Sequence, residues 1–196
     1  LEYRIIGINH DDLADGSGKA GLTFLTTSTT ISSRMNATAT NAGGWEKSEL
    51  RTKMNSGEIW NLMPSDFQSK VKSVRKLTNN VGGASENAAV TATSDRLFLL
   101  SYSEIVETPY SGWSGYSWIG NEGTQYEAFK GKVTENHSGN SGLSISINGG
   151  YWWERSPQPL YSGLWTNARF LMVSYGDPSK GWPASGSSYV CPAWCF

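Results

Sequence analysis

The stretch Tyr151-Trp-Trp-Glu-Arg-Ser-Pro157 decides the fold, because it predicts a strand that uses both of its faces. Side chains alternate along a strand, so Trp152 and Trp153 point to opposite sides of the sheet. At most one ring then belongs to the core on a given face, and the other packs beneath a loop. Arg155 lies on the Trp153 side, where its guanidinium suits hydrogen bonds to loop carbonyls.

The chain from this strand to its last residue, 151 to 196, is rich in aromatic residues and poor in charge. It carries five of the nine tryptophans, four of the nine tyrosines and only five charged side chains. The aromatics alternate with Ser, Gly and Pro, as in Tyr161 to Trp165 and Trp182 to Tyr189. Rigid aromatics on adaptable backbone are typical of binding surfaces, although such density also occurs in cores.

Short strands, a few helices and much irregular chain predict an α+β domain. Strands are predicted at Tyr3–Ile8, Leu22–Thr26, Val74–Thr78 (an edge, because of its charges), Arg96–Ser101 (central), Gly142–Ile147, Tyr151–Arg155, Arg169–Ser174 and Tyr189–Trp194. Helices are predicted at Trp45–Asn55, at Trp60–Leu62 as a short turn, and from Ser65, where Ser65 and Gln68 form a capping box. A second box joins Ser101 to Glu104, and long loops are expected at Asn79–Ser94 and Glu107–Asn148.

The composition limits the classes of function. A chain of 196 residues with 16 basic and 17 acidic side chains fits a single domain, 1–196, with no nucleic-acid partner. The printed sequence shows no apolar run long enough for membrane insertion and no secretory leader, and export stays open. His10 and His137 stand alone, so no metal or cofactor is expected. The Asp11-Asp12 pair predicts a solvated loop. Cys191 and Cys195 are interpreted as buried thiols, with a strained disulfide as the alternative.

Several phrases spread over the chain carry a resemblance to a known family. They are Tyr3-Arg-Ile-Ile-Gly7, Trp45-x-x-Ser48-x-x-Arg51, Asp95 to Glu104, Trp152-Trp-x-Arg155-Ser-Pro157 and Val190-x-Pro192-Ala193. Together they resemble uncharacterised domains of surface proteins from gut bacteria and their phages. That family is similar to the C-type-lectin fold of formylglycine-generating enzymes. The resemblance implies a small twisted antiparallel sheet, two or three helices and long irregular loops.

The closest resemblance is to the variable proteins of diversity-generating retroelements, whose C-terminal segment is rewritten to create new binding surfaces. It implies that 151–196 is the variable segment and that its invariant frame is Trp152, Trp153, Arg155, Ser156, Pro157, Gly176, Val190, Pro192 and Ala193. Where the family has glycine before the closing valine, this chain has Tyr189. The implied diversified, solvent-facing, ligand-binding positions are Glu154, Leu160, Tyr161, Leu164, Trp165, Tyr175, Asp177, Lys180, Trp182, Ser185 and Tyr189.

The leading functional hypothesis is therefore a ligand-binding domain that is not an enzyme. Its partner would be a protein or another surface ligand, carbohydrate included, and its location the cell surface, the secreted fraction or the virion, by resemblance only. A structural or adhesion module without diversification is one alternative. An oxidase of the formylglycine-generating type, using Cys191 and Cys195, is the other.

Overall fold

A computed structural model describes residues 2–28, 30–134, 150–159 and 168–196. Its strands are β1 (Glu2–Ile8), β2 (Leu22–Ser28), β3 (Ser32–Arg34), β4 (Val74–Asn79), β5 (Val90–Asp95), β6 (Leu97–Phe98), β7 (Tyr151–Pro157), β8 (Arg169–Ser174), β9 (Asp177–Pro183), β10 (Ser187–Tyr189) and β11 (Ala193–Cys195). Its α-helices are α1 (Glu49–Asn55), α2 (Glu58–Asn61), α3 (Ser65–Lys70) and α4 (Tyr102–Ile105), and short 3-10 turns lie at Ser111–Trp113 and Ser117–Gly120. Short helices between sheets confirm the α+β class. No helix in these ranges is long and apolar enough to cross a membrane.

Three sheets organise the chain. One has the order β1-β2-β11-β6, the second has the order β3-β10-β7-β8-β9, and β4 pairs with β5 alone. The described pairings are antiparallel except for β10 with β7, which meet in parallel at Tyr189 and Trp152. The strand predicted at Tyr189–Trp194 is split, because β10 and β11 belong to different sheets. Val190 to Pro192 carries the chain from one sheet to the other.

Strand β7 separates two apolar cores, as the alternation of its tryptophans predicts. Trp152 packs with a cluster that contains Leu171 and Val173, and Trp153 packs with a second cluster that contains Phe170 and Met172. Both rings are buried, and the Trp153 indole donates to the carbonyl of residue 33 at 2.8 Å. The prediction of opposite faces is confirmed, and each face has a core of its own.

Local signals located most of the early elements. The strands at Tyr3–Ile8 and Leu22–Thr26 form the antiparallel pair β1 and β2. The helix predicted from Trp45 begins only at Glu49, because the Ser48 hydroxyl accepts the amide of Arg51 and caps the first turn. The Ser101 capping box is present with both of its hydrogen bonds.

The capping box predicted at Ser65 and Gln68 is wrong. Pro64, not Ser65, occupies the cap position of α3, and no side chain caps this helix. The Gln68 amide donates instead to the carbonyls of Trp60 and Met63, at 3.2 and 2.8 Å. Gln68 therefore ties α3 to the preceding turn.

The hydrophobic run Arg96–Ser101, which the sequence predicts as a central strand, does not form one. Only Leu97 and Phe98 pair, at the edge of their sheet, although the run from Leu97 to Leu100 is fully buried. The carbonyl of Leu99 accepts from the Arg155 side chain and that of Leu100 accepts from the Arg155 amide, so neither joins a ladder. Burial between two cores replaces strand pairing here.

Two stretches without a predicted strand contain one. The loop predicted at Asn79–Ser94 includes most of β5, and the chain between the strands predicted at Arg169–Ser174 and Tyr189–Trp194 includes β9. The prediction that β4 lies at an edge is confirmed, but its Lys76 is buried. The strand predicted at Gly142–Ile147 lies outside the described residues.

The two cysteines are free and buried, so the interpretation as thiols is confirmed and the disulfide alternative is wrong. Burial raises the pKa of both thiols, that of Cys195 to about 12.

Candidate ligand-binding groove

A groove of about 540 Å³ opens on the five-stranded sheet between β10 and the hairpin of β8 and β9. Tyr151, Trp182 and Tyr189 contribute aromatic walls, and Met172 lies at its apolar base. Small hydroxyl residues complete the lining, namely Ser32, Ser174, Ser187 and Ser188. The sheet brings these residues together from five strands, so the groove depends on the long-range pairing of the chain.

Two tyrosines form one rim of the groove. Tyr175 is 73% exposed and its ring lies edge-on against Tyr151, with the centroids 4.7 Å apart. A hydrogen bond that the Tyr151 hydroxyl donates to Tyr175, ahead of burial, raises the pKa of Tyr151. This aromatic pair faces solvent and is available to a ligand.

The conformation of Tyr175 is unusual for its residue type. Tyr175 and Gly176 form the turn between β8 and β9 with φ of 48° and 81°. Two-residue hairpin turns with positive φ favour Asn-Gly or Asp-Gly, because a tyrosine Cβ is crowded in that region. The Tyr175 amide donates to Gly150 at 2.7 Å, which holds the turn in place. An aromatic side chain at this position weakens the turn and presents a ring at the rim.

Replacing Tyr175 with asparagine is expected to stabilise the fold by about 1 kcal/mol, because asparagine tolerates the left-handed region. Urea unfolding followed by tryptophan fluorescence measures the change. The matched control is Tyr151→Asn, an exposed tyrosine on an extended strand, for which no gain is expected. A loss of stability in Tyr175→Asn would contradict this account of the turn.

The Trp182 ring is held against a tight turn. Trp182 is 46% exposed and lies opposite Phe170 in the pairing of β8 with β9. The Gly186 amide closes the turn by donating to Pro183 at 2.8 Å. A Cβ on Gly186 would overlap the indole nitrogen of Trp182, so glycine leaves room for the ring.

Lys180 supplies the charge at the groove. Its side chain is 59% exposed, and its ammonium lies 3.1 Å from a carboxylate oxygen of Asp177. The other Asp177 oxygen accepts from the amide and the hydroxyl of Ser179, at 2.9 and 2.6 Å. Asp177 is buried, so the prediction that it faces solvent is wrong. Its carboxylate is used to fix the start of β9.

Glu154 is the second solvent-facing prediction that is wrong. It is fully buried on β7, and among the described residues neither of its carboxyl oxygens has a hydrogen-bond partner. Burial above all, and then the nearby carboxyls of Glu122 and Asp177, raises its pKa well above the usual range. Burial therefore favours the protonated, neutral form of Glu154, which lies inside the protein instead of on its surface.

The remaining predicted site residues divide into two groups. Tyr175, Lys180, Trp182 and Ser185 are exposed, and Tyr189 is half-buried at the groove. The others lie outside the described residues, namely Leu160, Tyr161, Leu164 and Trp165. Tyr151, Ser32 and Ser187 line the groove although the sequence did not mark them. Alternation along the Tyr151–Arg155 strand could have indicated Tyr151, because it lies on the Trp153 side; Ser32 carries no local signal.

A buried ionic network lies behind the frame residues. Arg155 donates to the carbonyls of Leu77, Leu99 and Glu122 at 2.6 to 2.9 Å, and its ion pair with Glu104 measures 2.5 Å. The other Glu104 oxygen pairs with Lys76 at 2.5 Å. The prediction that Arg155 hydrogen-bonds to carbonyls is confirmed.

Asp11 completes this network, although the sequence predicted a solvated loop at this position. It is buried, lies 2.6 Å from the Lys76 ammonium and accepts from the hydroxyls of Thr23 and Tyr126. Burial works against ionisation, but Lys76 holds the pKa of Asp11 far below its usual range. The solvated loop predicted for Asp11 is wrong, because a charge 65 positions away along the chain neutralises it.

Across the described ranges, no three His, Cys, Asp or Glu side chains converge as metal ligands.

Fold and groove together define an α+β domain with an aromatic-walled surface groove. The chain belongs to the family described as a domain of unknown function, DUF6273, which it matches over residues 20–195. The match covers both larger sheets from β2 onward. No curated protein and no solved structure matches the chain.

Proposed function

We propose that this domain binds a macromolecular ligand at the groove and performs no chemistry on it. One observation carries the proposal: two exposed aromatic side chains, Tyr151 and Trp182, line one groove on the sheet, and the exposed ring of Tyr175 packs against Tyr151 beside it. Exposed aromatics of this kind dominate the energetics of interfaces. Tyr175 keeps its ring at the rim despite a backbone conformation that disfavours tyrosine, and such local conflicts concentrate at functional sites.

We further propose that the scaffold is a C-type-lectin fold of the formylglycine-generating-enzyme subtype and that 151–196 is a diversified segment. The division between buried and exposed residues supports this. Trp152, Trp153 and Arg155 of the implied frame are buried, whereas Lys180 and Trp182 among the implied variable positions are exposed. A binding face that tolerates new side chains needs such a separate frame. Cell-surface, secreted or virion display belongs to the same proposal.

The gene tests diversification. A near-repeat of the segment encoding 151–196, which differs almost only at adenines and lies beside a reverse transcriptase, is required. Its absence would leave a binding module with a fixed surface. The oxidase alternative requires reactive thiolates, and burial raises the pKa of Cys191 and Cys195 away from that state.

Trp182→Ala is expected to weaken binding of a partner recovered with the native domain by about 100-fold or more, because a half-exposed indole is a typical hot spot. Titration calorimetry against that purified partner measures the change, and urea unfolding verifies that the fold persists. Gly186→Ala should also weaken binding, because the added methyl group displaces the Trp182 indole although the indole itself is retained.

Leu62→Ala is the matched control for this experiment. Leu62 is 67% exposed and follows α2, away from the groove lining. Its truncation should leave affinity unchanged. Full binding by Trp182→Ala would favour the alternative of a structural spacer without a binding role.

A further inference from the structure

The charges at the groove narrow the class of ligand, and this step rests on the proposed function. Lys180 is the one charged residue among those that line the described groove, and no carboxylate is among them. The two acidic residues nearest in sequence, Glu154 and Asp177, are buried. The ammonium of Lys180 lies 3.1 Å from the Asp177 carboxylate, but that carboxylate is buried, so the exposed surface of the groove presents the cation, although the whole chain has a net charge of −1.

A second cation lies at the opposite edge of the same sheet. Arg34 on β3 is exposed and pairs in register with Ser187, which lines the groove. Within the described part of the chain, no carboxylate lies within ion-pairing distance of its guanidinium. Strands β3 and β9 are the two edges of the five-stranded sheet. Arg34 and Lys180 thus place positive charge on both edge strands, which favours an acidic ligand.

The size and lining of the groove favour a protein segment. A volume of about 540 Å³ suits one large side chain and its immediate neighbours. Tyr, Trp, Ser and Gly around it have the composition of protein-binding paratopes, in which aromatics provide rigid area and hydroxyls adapt to hydrogen-bonding partners. The hydroxyls of Ser32 and Ser187 lie 2.7 Å apart at the β3 side and can exchange this bond for one to a ligand.

We infer that the groove binds an acidic segment of a partner protein that inserts one aromatic or branched apolar side chain. The inserted side chain packs on Met172 between Tyr151 and Trp182. Flanking Asp or Glu residues pair with Lys180 on one side and Arg34 on the other. Charge sets the preference for acidic neighbours, and apolar burial supplies most of the affinity.

The test is selection of a displayed library of random 12-residue loops on the immobilised native domain, with an array of neutral and acidic glycans in parallel. Enriched loops should contain Asp or Glu beside an aromatic or branched apolar residue. Lys180→Glu should lower affinity for them by about ten-fold and select basic loops instead. Arg34→Glu should act in the same direction. Lys70→Glu, a change of the same charge on α3, should leave the selection unaltered.

The outcomes separate the inference from the proposed function. Enriched loops without acidic bias, or acidic loops that bind Lys180→Glu equally well, would overturn the charge preference while binding at the groove stands. Neutral glycans that bind in the absence of any enriched loop would overturn the choice of a protein partner. Enrichment that is the same on Trp182→Ala as on the native domain would overturn the groove itself.

Discussion

Replacement of Arg155 by methionine is expected to remove about 3–5 kcal/mol from the free energy of unfolding, the cost of breaking a buried ion pair from one side. Methionine keeps much of the side-chain volume but provides no donor. The Glu104 carboxylate and the carbonyls of Leu77 and Glu122 would lose the guanidinium that they share. Because a domain of this size has a total stability of about 5–15 kcal/mol, most of it could be lost.

The large expected loss of stability follows from the position of Arg155 in the buried ionic network. Burial disfavours every ion of the network, but Glu104 raises the pKa of Arg155, and Arg155 in turn lowers the pKa of Glu104. Lys76 depends on the same glutamate. Removal of one guanidinium therefore leaves Glu104 with a single cation in a medium of low polarity.

Urea unfolding followed by tryptophan fluorescence measures this loss, and Lys53→Met is its matched control. Lys53 pairs with Glu58 at 3.0 Å on the surface, so the same substitution should cost less than about 1 kcal/mol. Arg155→Lys keeps the charge but lacks the fork that reaches several acceptors, so an intermediate loss is expected. Equal losses in Arg155→Met and Lys53→Met would contradict a structural role for the network.

The sequence predicted what short-range chemistry determines. Apolar runs bounded by turn residues located β1 and β2, alternation located both faces of β7, and the Ser101 and Glu104 side chains located the start of α4. In contrast, β9 has the composition of a loop, with Pro178, Gly181 and Pro183, and becomes a strand only because β8 provides a partner. Composition cannot signal a pairing that the rest of the sheet imposes.

Charged residues account for most of the errors at the site. Exposure was correctly predicted for Tyr175, Lys180 and Trp182, because the resemblance implied it and because Trp182 also stands among small residues and prolines. Glu154 was expected at the surface because the resemblance implied it, and Asp11 was expected there because turn residues flank it. Asp11 is buried beside Lys76, on the inward face of β4, and no local pattern links two residues so distant in sequence. Folding places the Lys76 ammonium beside the Asp11 carboxylate, and their separation in the sequence gives no sign of this pair.

Replacement of Glu154 by glutamine is expected to increase stability progressively with rising pH, by an amount that reaches the order of a few kcal/mol at alkaline pH. The carboxyl group has no hydrogen-bond partner in the described part of the chain, so burial opposes its ionised form without compensation there. Glutamine has nearly the same shape and cannot ionise. At pH 4, where the acid is protonated in both states, the two proteins should differ little.

The direction follows from proton linkage. The folded protein keeps the Glu154 proton at pH values where the unfolded chain, with a pKa of about 4.3, has released it. Stability therefore falls as pH rises from that value to the raised folded pKa, by up to about 1.4 kcal/mol per pH unit. Glu122 adds a similar fall that ends near pH 7, the value to which burial above all raises its pKa. Glu154→Gln should remove only the fall in stability that Glu154 causes.

Glu122→Gln provides the contrast that makes the experiment decisive. Glu122 accepts from the Asn79 amide, the Thr78 hydroxyl and the Ser156 hydroxyl, so three donors already face its oxygens. An amide group placed there would direct its own hydrogens at a donor and so cost stability, although it also removes the cost of ionising Glu122 below about pH 7. Urea titrations between pH 4 and 9 should therefore show Glu154→Gln gaining stability with pH from a difference near zero, whereas Glu122→Gln starts from a loss at pH 4 and its difference from the native protein stops changing near pH 7. If both substitutions destabilise the protein at pH 9, Glu154 must have a partner that compensates its charge, and the account of it as an uncompensated acid beneath the hairpin fails.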